Sequence, residues 1–83
     1  MNYQLTQHAK KVLAERGIAV EWMERTLDEP EWIAPDPNDP QVMRYFRGIP
    51  EFGDRVLRVA VNLTAEPRRV VSVFFDRTQK GNP

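Results

Sequence analysis

The 83-residue chain reads as an α+β domain: two N-terminal helices packed on one face of a small antiparallel sheet of three to four strands. Two observations carry that expectation. Apolar residues recur at helical spacing up to about residue 28, whereas beyond about residue 41 the pattern changes to valine- and aromatic-rich runs separated by turn residues. Helices first and strands afterwards imply a sheet built of hairpins with the helices gathered on one side. A single domain over residues 1–83 is expected, with a helical hairpin over about 6–28, a proline-rich linker over about 29–41, a β-meander over about 42–77 and a short tail over 78–83.

Thr6 stands where an N-cap belongs and Gly17 where a left-handed C-cap belongs, so the first helix runs from about Gln7 to Arg16. Its stripe is Leu5, Ala9, Val12 and Leu13. In "AVEWMERTLDEP", Val20, Met23 and Leu27 are at helical spacing and Pro30 closes a second helix. "PEWIAPDPNDPQ" carries two Asp-Pro steps, which mark turns, with room for a short edge strand at Glu31 to Ala34. Three strands follow in "QVMRYFRGI", "RVLRVAVNL" and "RRVVSVFFDR". Alternation sends Leu57, Val59, Val61 and Leu63, and Val71, Val73 and Phe75, toward the helices. The opposite rows, Val56, Arg58, Ala60 and Asn62, and Val70, Ser72, Phe74 and Asp76, form a semi-apolar open face. Arg44 and Arg47 fall on opposite faces of the first strand of the meander, and the sequence leaves open which one shares the open side.

Composition narrows the chemistry. A chain 41% hydrophobic and 29% charged is expected to fold, and the absence of cysteine excludes disulfides, thiol nucleophiles and cysteine zinc sites. "MNYQLTQHAKK" lacks the apolar core of a signal peptide and no apolar run is long enough to span a bilayer, so a cytoplasmic protein without membrane contact is expected. The formal net charge is zero, yet the charge is unevenly placed: four bases face eight acids up to Asp39, and eight bases face four acids from Pro40 onward. Nearly all the later bases are arginines, whose planar forks suit phosphate; the same arginines also suit an exposed strand surface.

His8, the single histidine, sits in the first helical turn, whose positive end disfavours imidazolium and leaves a neutral ring able to accept a proton. A histidine that merely hydrogen-bonds nearby backbone fits as well. Arg16 falls near the centre of the apolar stripe, either snorkelling or paired from the last turn, or entering a polar cleft between helix and sheet. Asp36 and Asp39 with one histidine have no metal-ligand spacing, so no metal is expected. Ser72 lies inside a strand rather than on a nucleophile elbow, and no glycine-rich phosphate loop occurs. Chemistry without a cofactor remains, such as RNA cleavage by the neighbouring 2′-hydroxyl. It needs a proton acceptor, a proton donor and cations over the phosphorane, roles open to His8, Tyr45 and the arginines.

Taken together, "LTQHAKKVLAERGI", "EWMERTLDEPEW", "PDPNDP", "IPEFGDRVLRVAVN" and "VVSVFFDR" resemble a bacterial family of small proteins catalogued as domain of unknown function 4258, from about Tyr3 to Arg77. The resemblance implies a distant relation to RelE- and BrnT-like toxins, hence two helices on a small antiparallel sheet and, in several relatives, a metal-independent ribonuclease paired with an antitoxin. By position it nominates His8 and Arg16, Arg44 or Arg47, Arg58 and Arg77. The functional expectation is therefore a metal-independent endoribonuclease using His8, Arg16, Tyr45, Arg47, Arg58 and Arg77, with RNA and a cognate antitoxin or a second copy as partners and no cofactor. The alternative is a non-catalytic protein-binding or self-associating module using the row Val56, Ala60, Val70 and Phe74.

Overall fold

The computed structural model describes residues 2–79. Strand β1 (Tyr3–Leu5) leads into helix α1 (Gln7–Arg16) and helix α2 (Val20–Asp28); strand β2 (Trp32–Pro35) follows, then β3 (Val42–Ile49), a 3₁₀ turn at Pro50–Phe52, β4 (Arg55–Asn62) and β5 (Arg68–Phe75). One five-stranded sheet runs in the order β1-β5-β4-β3-β2. It is mixed rather than purely antiparallel, because β1 pairs parallel to β5 through Tyr3 with Arg68 and Leu5 with Val70. The expected meander and edge strand account for four of these strands. Strand β1 escapes sequence reading because three residues show no period, and Leu5 belongs to it rather than to the helical stripe.

Local chemistry explains the helix ends. The Thr6 hydroxyl accepts from Ala9 N–H at 3.1 Å, and Gly17 adopts φ 62°, which a residue with a Cβ resists. Ile18 N–H then donates to Leu13 O at 3.0 Å, closing α1. Helix α1 packs on β5 and β1, and α2 packs on β3 and β4, so each helix makes its main contacts with the sheet rather than with the other. Met23, Thr26 and Leu27 form the buried side of α2, whereas Val20 is exposed. Thr26 is fully buried because its hydroxyl donates to Trp22 O at 2.8 Å, one turn back.

The proline-rich linker is organised by Asp36. One carboxylate oxygen accepts from the N–H groups of Asn38 and Asp39 at 2.8 and 3.1 Å, and the other accepts from Arg44 Nε at 3.2 Å. This Asx turn sets where β3 begins.

Core packing follows the strand register. Leu57, Val59 and Val61 of β4 meet Ala9, Leu13, Ile18, Met23 and Leu27, with Leu63 at the margin. On β5 the alternation slips: Ala60 pairs with Ser72, yet Val61 pairs with Val70, so Val71 is an extra residue in a β-bulge. Val70 therefore enters the helix-side core beside Val73 and Phe75, correcting the assignment of Val71 to that row. Strict period-two reading cannot register an inserted residue.

The bulge yields a measurable contrast. Val70→Ala is expected to lower stability by about 1–3 kcal/mol through a cavity in the core, and Val71→Ala by less than about 1 kcal/mol. Urea unfolding of both variants measures it; equal losses would mean that β5 is registered without the slip.

Candidate functional site

The sheet face away from the helices carries a row that crosses four strands: Trp32 pairs with Phe46, Phe46 with Arg58, and Arg58 with Phe74. The Trp32 and Phe46 rings stack at 5.0 Å with 5° between planes, and the Arg58 guanidinium lies 4.0 Å over the Phe74 ring. Arg58 NH1 donates to Asp76 at 3.2 Å, matching the Arg44 to Asp36 pair across the face. Arg44, not Arg47, is thus the arginine of the open side. Burial together with the neighbouring Arg44 charge lowers the Arg58 pKa from its ordinary value, against the opposing pull of Asp76 and Asp36. Burial raises the Asp76 carboxyl, but the Thr78 hydroxyl and N–H, helped by Arg58 and Arg44, hold it below the usual carboxylate value.

This arrangement replaces the exposed apolar row expected of a binding module. Val56 and Ala60 are only 1% and 4% exposed although no helix covers them, and Val70 lies in the core on the other side. Phe74 is roofed by Arg58. The large apolar residues that are exposed among those described, Val20, Ile33 and Phe52, sit on three separate elements.

The six nominated residues divide among different places. Tyr45 is 8% exposed and packs in the helix-side core. Arg47 shares that side, where its NH1 donates to Glu29 O at 2.6 Å and satisfies the carbonyl just beyond α2. Both therefore lie across the sheet from Arg58, so the expected convergence of Tyr45, Arg47 and Arg58 on one phosphate does not occur. Alternation along a strand decides this: Tyr45 and Arg47 share parity, while Arg58 pairs with Phe46 between them. Arg77 lies beyond the end of β5, beside Arg55.

His8 and Arg16 do come together. With Val12 they form one line on α1, spaced four residues apart, along a groove of about 320 Å³ whose opposite wall is Ser72, Val73 and Phe74 of β5. Arg16 thus flanks the core stripe rather than centring it, because Ala9 and Leu13 take the buried position. The groove runs beside a free strand edge. Strand β1 pairs with β5 only from Arg68 to Val70. Asp76 N–H donates inward to Val56 O, so by alternation Phe74 also faces β4, and the backbone groups of Phe75 point outward. His8 and Arg16 are exposed and make no hydrogen bond or ion pair among the described residues. An imidazole and a guanidinium of α1 therefore border a channel whose other wall is β5 at Ser72, Val73 and Phe74. Such groups are able to accept a proton and to bind an oxyanion. The sequence places Ser72 and Phe74 on β5 but not beside His8 and Arg16, since nothing in it says which strand α1 lies along.

A family model described as "Domain of unknown function (DUF4258)" matches residues 5–75. No curated protein and no solved structure matches the chain.

The Arg58 to Asp76 pair supplies a pH test. A carboxyl depressed by folding adds stability that is fully present above its unfolded value of about 4 and is lost as pH falls through the lower folded value. Asp76→Asn is expected to cost about 1–3 kcal/mol at pH 7, and the gap to the parent should narrow as pH falls below about 4. Thermal unfolding from pH 7 downward measures it; a gap independent of pH would remove the carboxylate from the account.

Proposed function

The chain belongs to the DUF4258 family, whose description assigns no activity, and we propose that it is a small metal-independent endoribonuclease working from the groove between α1 and the free edge of β5. The observation that carries this reading is that His8 and Arg16 are brought to one groove and left without intramolecular partners, while Arg44, Arg47 and Arg58 are engaged in structural contacts. The proposal takes the fold as RelE- or BrnT-like, and sets the protein in a bacterial cytoplasm as the toxin of a toxin-antitoxin pair.

Each group has a distinct task. His8 accepts the proton of an RNA 2′-hydroxyl as that oxygen attacks the adjacent phosphorus. The bond from phosphorus to the 5′-oxygen breaks, the leaving oxygen takes a proton from water, and the products are a 2′,3′-cyclic phosphate and a 5′-hydroxyl. Arg16 is the fixed cation for the charge gathering on the equatorial oxygens. His8 and Arg16 stand about 12 Å apart along the helix axis at 1.5 Å per residue. Arginine's reach closes much of that distance. Zero net charge favours the alternative without RNA, because RNA binding draws much of its affinity from cation-phosphate contacts.

A second reading is favoured by one feature, the stretch of β5 beyond Val70 that β1 leaves unpaired, along which Phe75 turns its backbone groups outward. A partner strand that adds there makes the groove a protein-binding site with no chemistry of its own. Such a partner is an antitoxin or a second copy of the chain.

Cleavage of a structured and an unstructured RNA in EDTA separates the two. The parent protein is expected to yield cyclic-phosphate ends, with His8→Ala and Arg16→Ala each slowing the reaction about 10²–10⁴-fold while remaining folded; Arg58→Ala, prepared identically, reports on the Phe74 wall. Equal activity in the parent and the His8 variant would expose a contaminating nuclease and sink the catalytic reading. RNA left intact would leave the strand-adding module.

A further inference from the structure

A second pocket lies at the far end of β5, away from the groove. The ladder between β4 and β5 pairs Leu57 with Phe75, and Asp76 N–H donates to Val56 O at 2.8 Å, which carries the pairing one residue further. Beyond it the chain turns at Arg77 and Thr78, and Arg77 borders one pocket with Arg55 at the start of β4. Two arginines bordering one pocket repel when no anion lies between them.

Neither arginine makes an ion pair among the described residues. Asp76 points to the other face, where Arg58 and Thr78 take its oxygens. Glu51 is held at both oxygens by Arg25, at 2.9 and 2.7 Å. Asp54 makes no ion pair with either arginine among the described residues. Arg55 instead rests 5.1 Å over the Phe52 ring, which holds its side chain in place while leaving its N–H groups available.

The two guanidinium groups border a pocket of about 370 Å³, completed by Val56, Phe75, Asp76 and Gln79. That is the size of a small-molecule site, and its lining combines two arginines and the Gln79 amide with the aromatic Phe75. We propose that this pocket binds the phosphate of a small phosphomonoester between Arg55 and Arg77, the organic part lying against Phe75. A dianionic phosphate matches two bidentate forks and removes their mutual repulsion. Phe75 stacks with Phe52 at 4.7 Å and meets Trp22 edge-on at 6.1 Å, so the wall is part of a fixed aromatic cluster. The site is independent of the RNA groove, since it shares none of that groove's residues.

The experiment is a backbone amide NMR titration of the full chain with inorganic phosphate, with adenosine 5′-monophosphate and with adenosine as the uncharged control. Saturable shifts are expected at Arg55, Phe75, Arg77 and Gln79 with both phosphates and none there with adenosine, the nucleotide binding more tightly. Arg77→Gln should weaken nucleotide binding about tenfold or more, with no fall in melting temperature, because an exposed repelling charge is removed. His8→Ala should leave binding unchanged, so failure here and failure of the ribonuclease reading are separable. Unsaturable shifts, binding that survives in Arg77→Gln, or shifts centred on Arg16 would overturn the site. Equal affinity for phosphate and nucleotide would overturn the role of Phe75, and equal binding of a dinucleotide with only an internal phosphodiester would overturn the preference for a monoester.

Discussion

Both helices lie on one side of the sheet, and among the described residues no third layer covers the other. That single constraint shapes most of what the molecule does with its arginines. Val42, Phe46, Val56 and Ala60 are buried on the helix-free face all the same, and what shields them is the long side chains of that face itself. Trp32 stacks on Phe46 and Arg58 lies flat on Phe74. A guanidinium tolerates this position because its planar faces are weakly hydrated while its edge still reaches a carboxylate. Asp76 and Asp36 supply those carboxylates, so Arg58 and Arg44 are each paired with an anion on that face.

Structural use of arginine also defines where function can reside. Arg47 closes the end of α2, Arg25 binds Glu51, and Arg44 and Arg58 hold the open face together. Subtracting these leaves Arg16, Arg55, Arg68, Arg69 and Arg77 with no carboxylate partner among the described residues, and of these Arg16 lies beside His8 and Arg55 shares a pocket with Arg77. Both pairs border concavities along β5, one at its free edge and one at its end. A strand at a sheet edge, flanked by a helix on one side and extended by an irregular segment, is where grooves arise in so small a fold.

The sheet's own irregularity has functional weight. The extra residue at Val71 keeps Val70 in the core and restores Val73 to the same side, so β5 contributes to packing along its whole length. Without the slip, the half of β5 that meets α1 and the half that pairs with β1 would bury opposite rows. Continuous packing is what lays α1 along β5 and brings the line His8, Val12 and Arg16 to face Ser72 and Phe74.

The amino-acid sequence by itself determined what depends on neighbours along the chain. The cap residues Thr6 and Gly17 bound α1, Pro30 ends α2, the Asp-Pro linker turns, and the alternation in β4 orients Leu57, Val59, Val61 and Leu63 toward the core. Each of these follows from a dihedral preference, a local hydrogen bond or a fixed side-chain period. Tertiary structure decided what depends on partners distant in the chain. A three-residue strand exists at Tyr3 only because β5 offers it an edge, and the bulge exists only as a relation between two strands. Tyr45 and Arg47 face away from Arg58 because strand pairing sets which residue of β3 stands opposite Arg58. His8 and Arg16 share a groove with Ser72 because of the direction α1 takes across the sheet. Pairing register and packing direction are properties of two elements together, and no periodicity within one of them encodes the other.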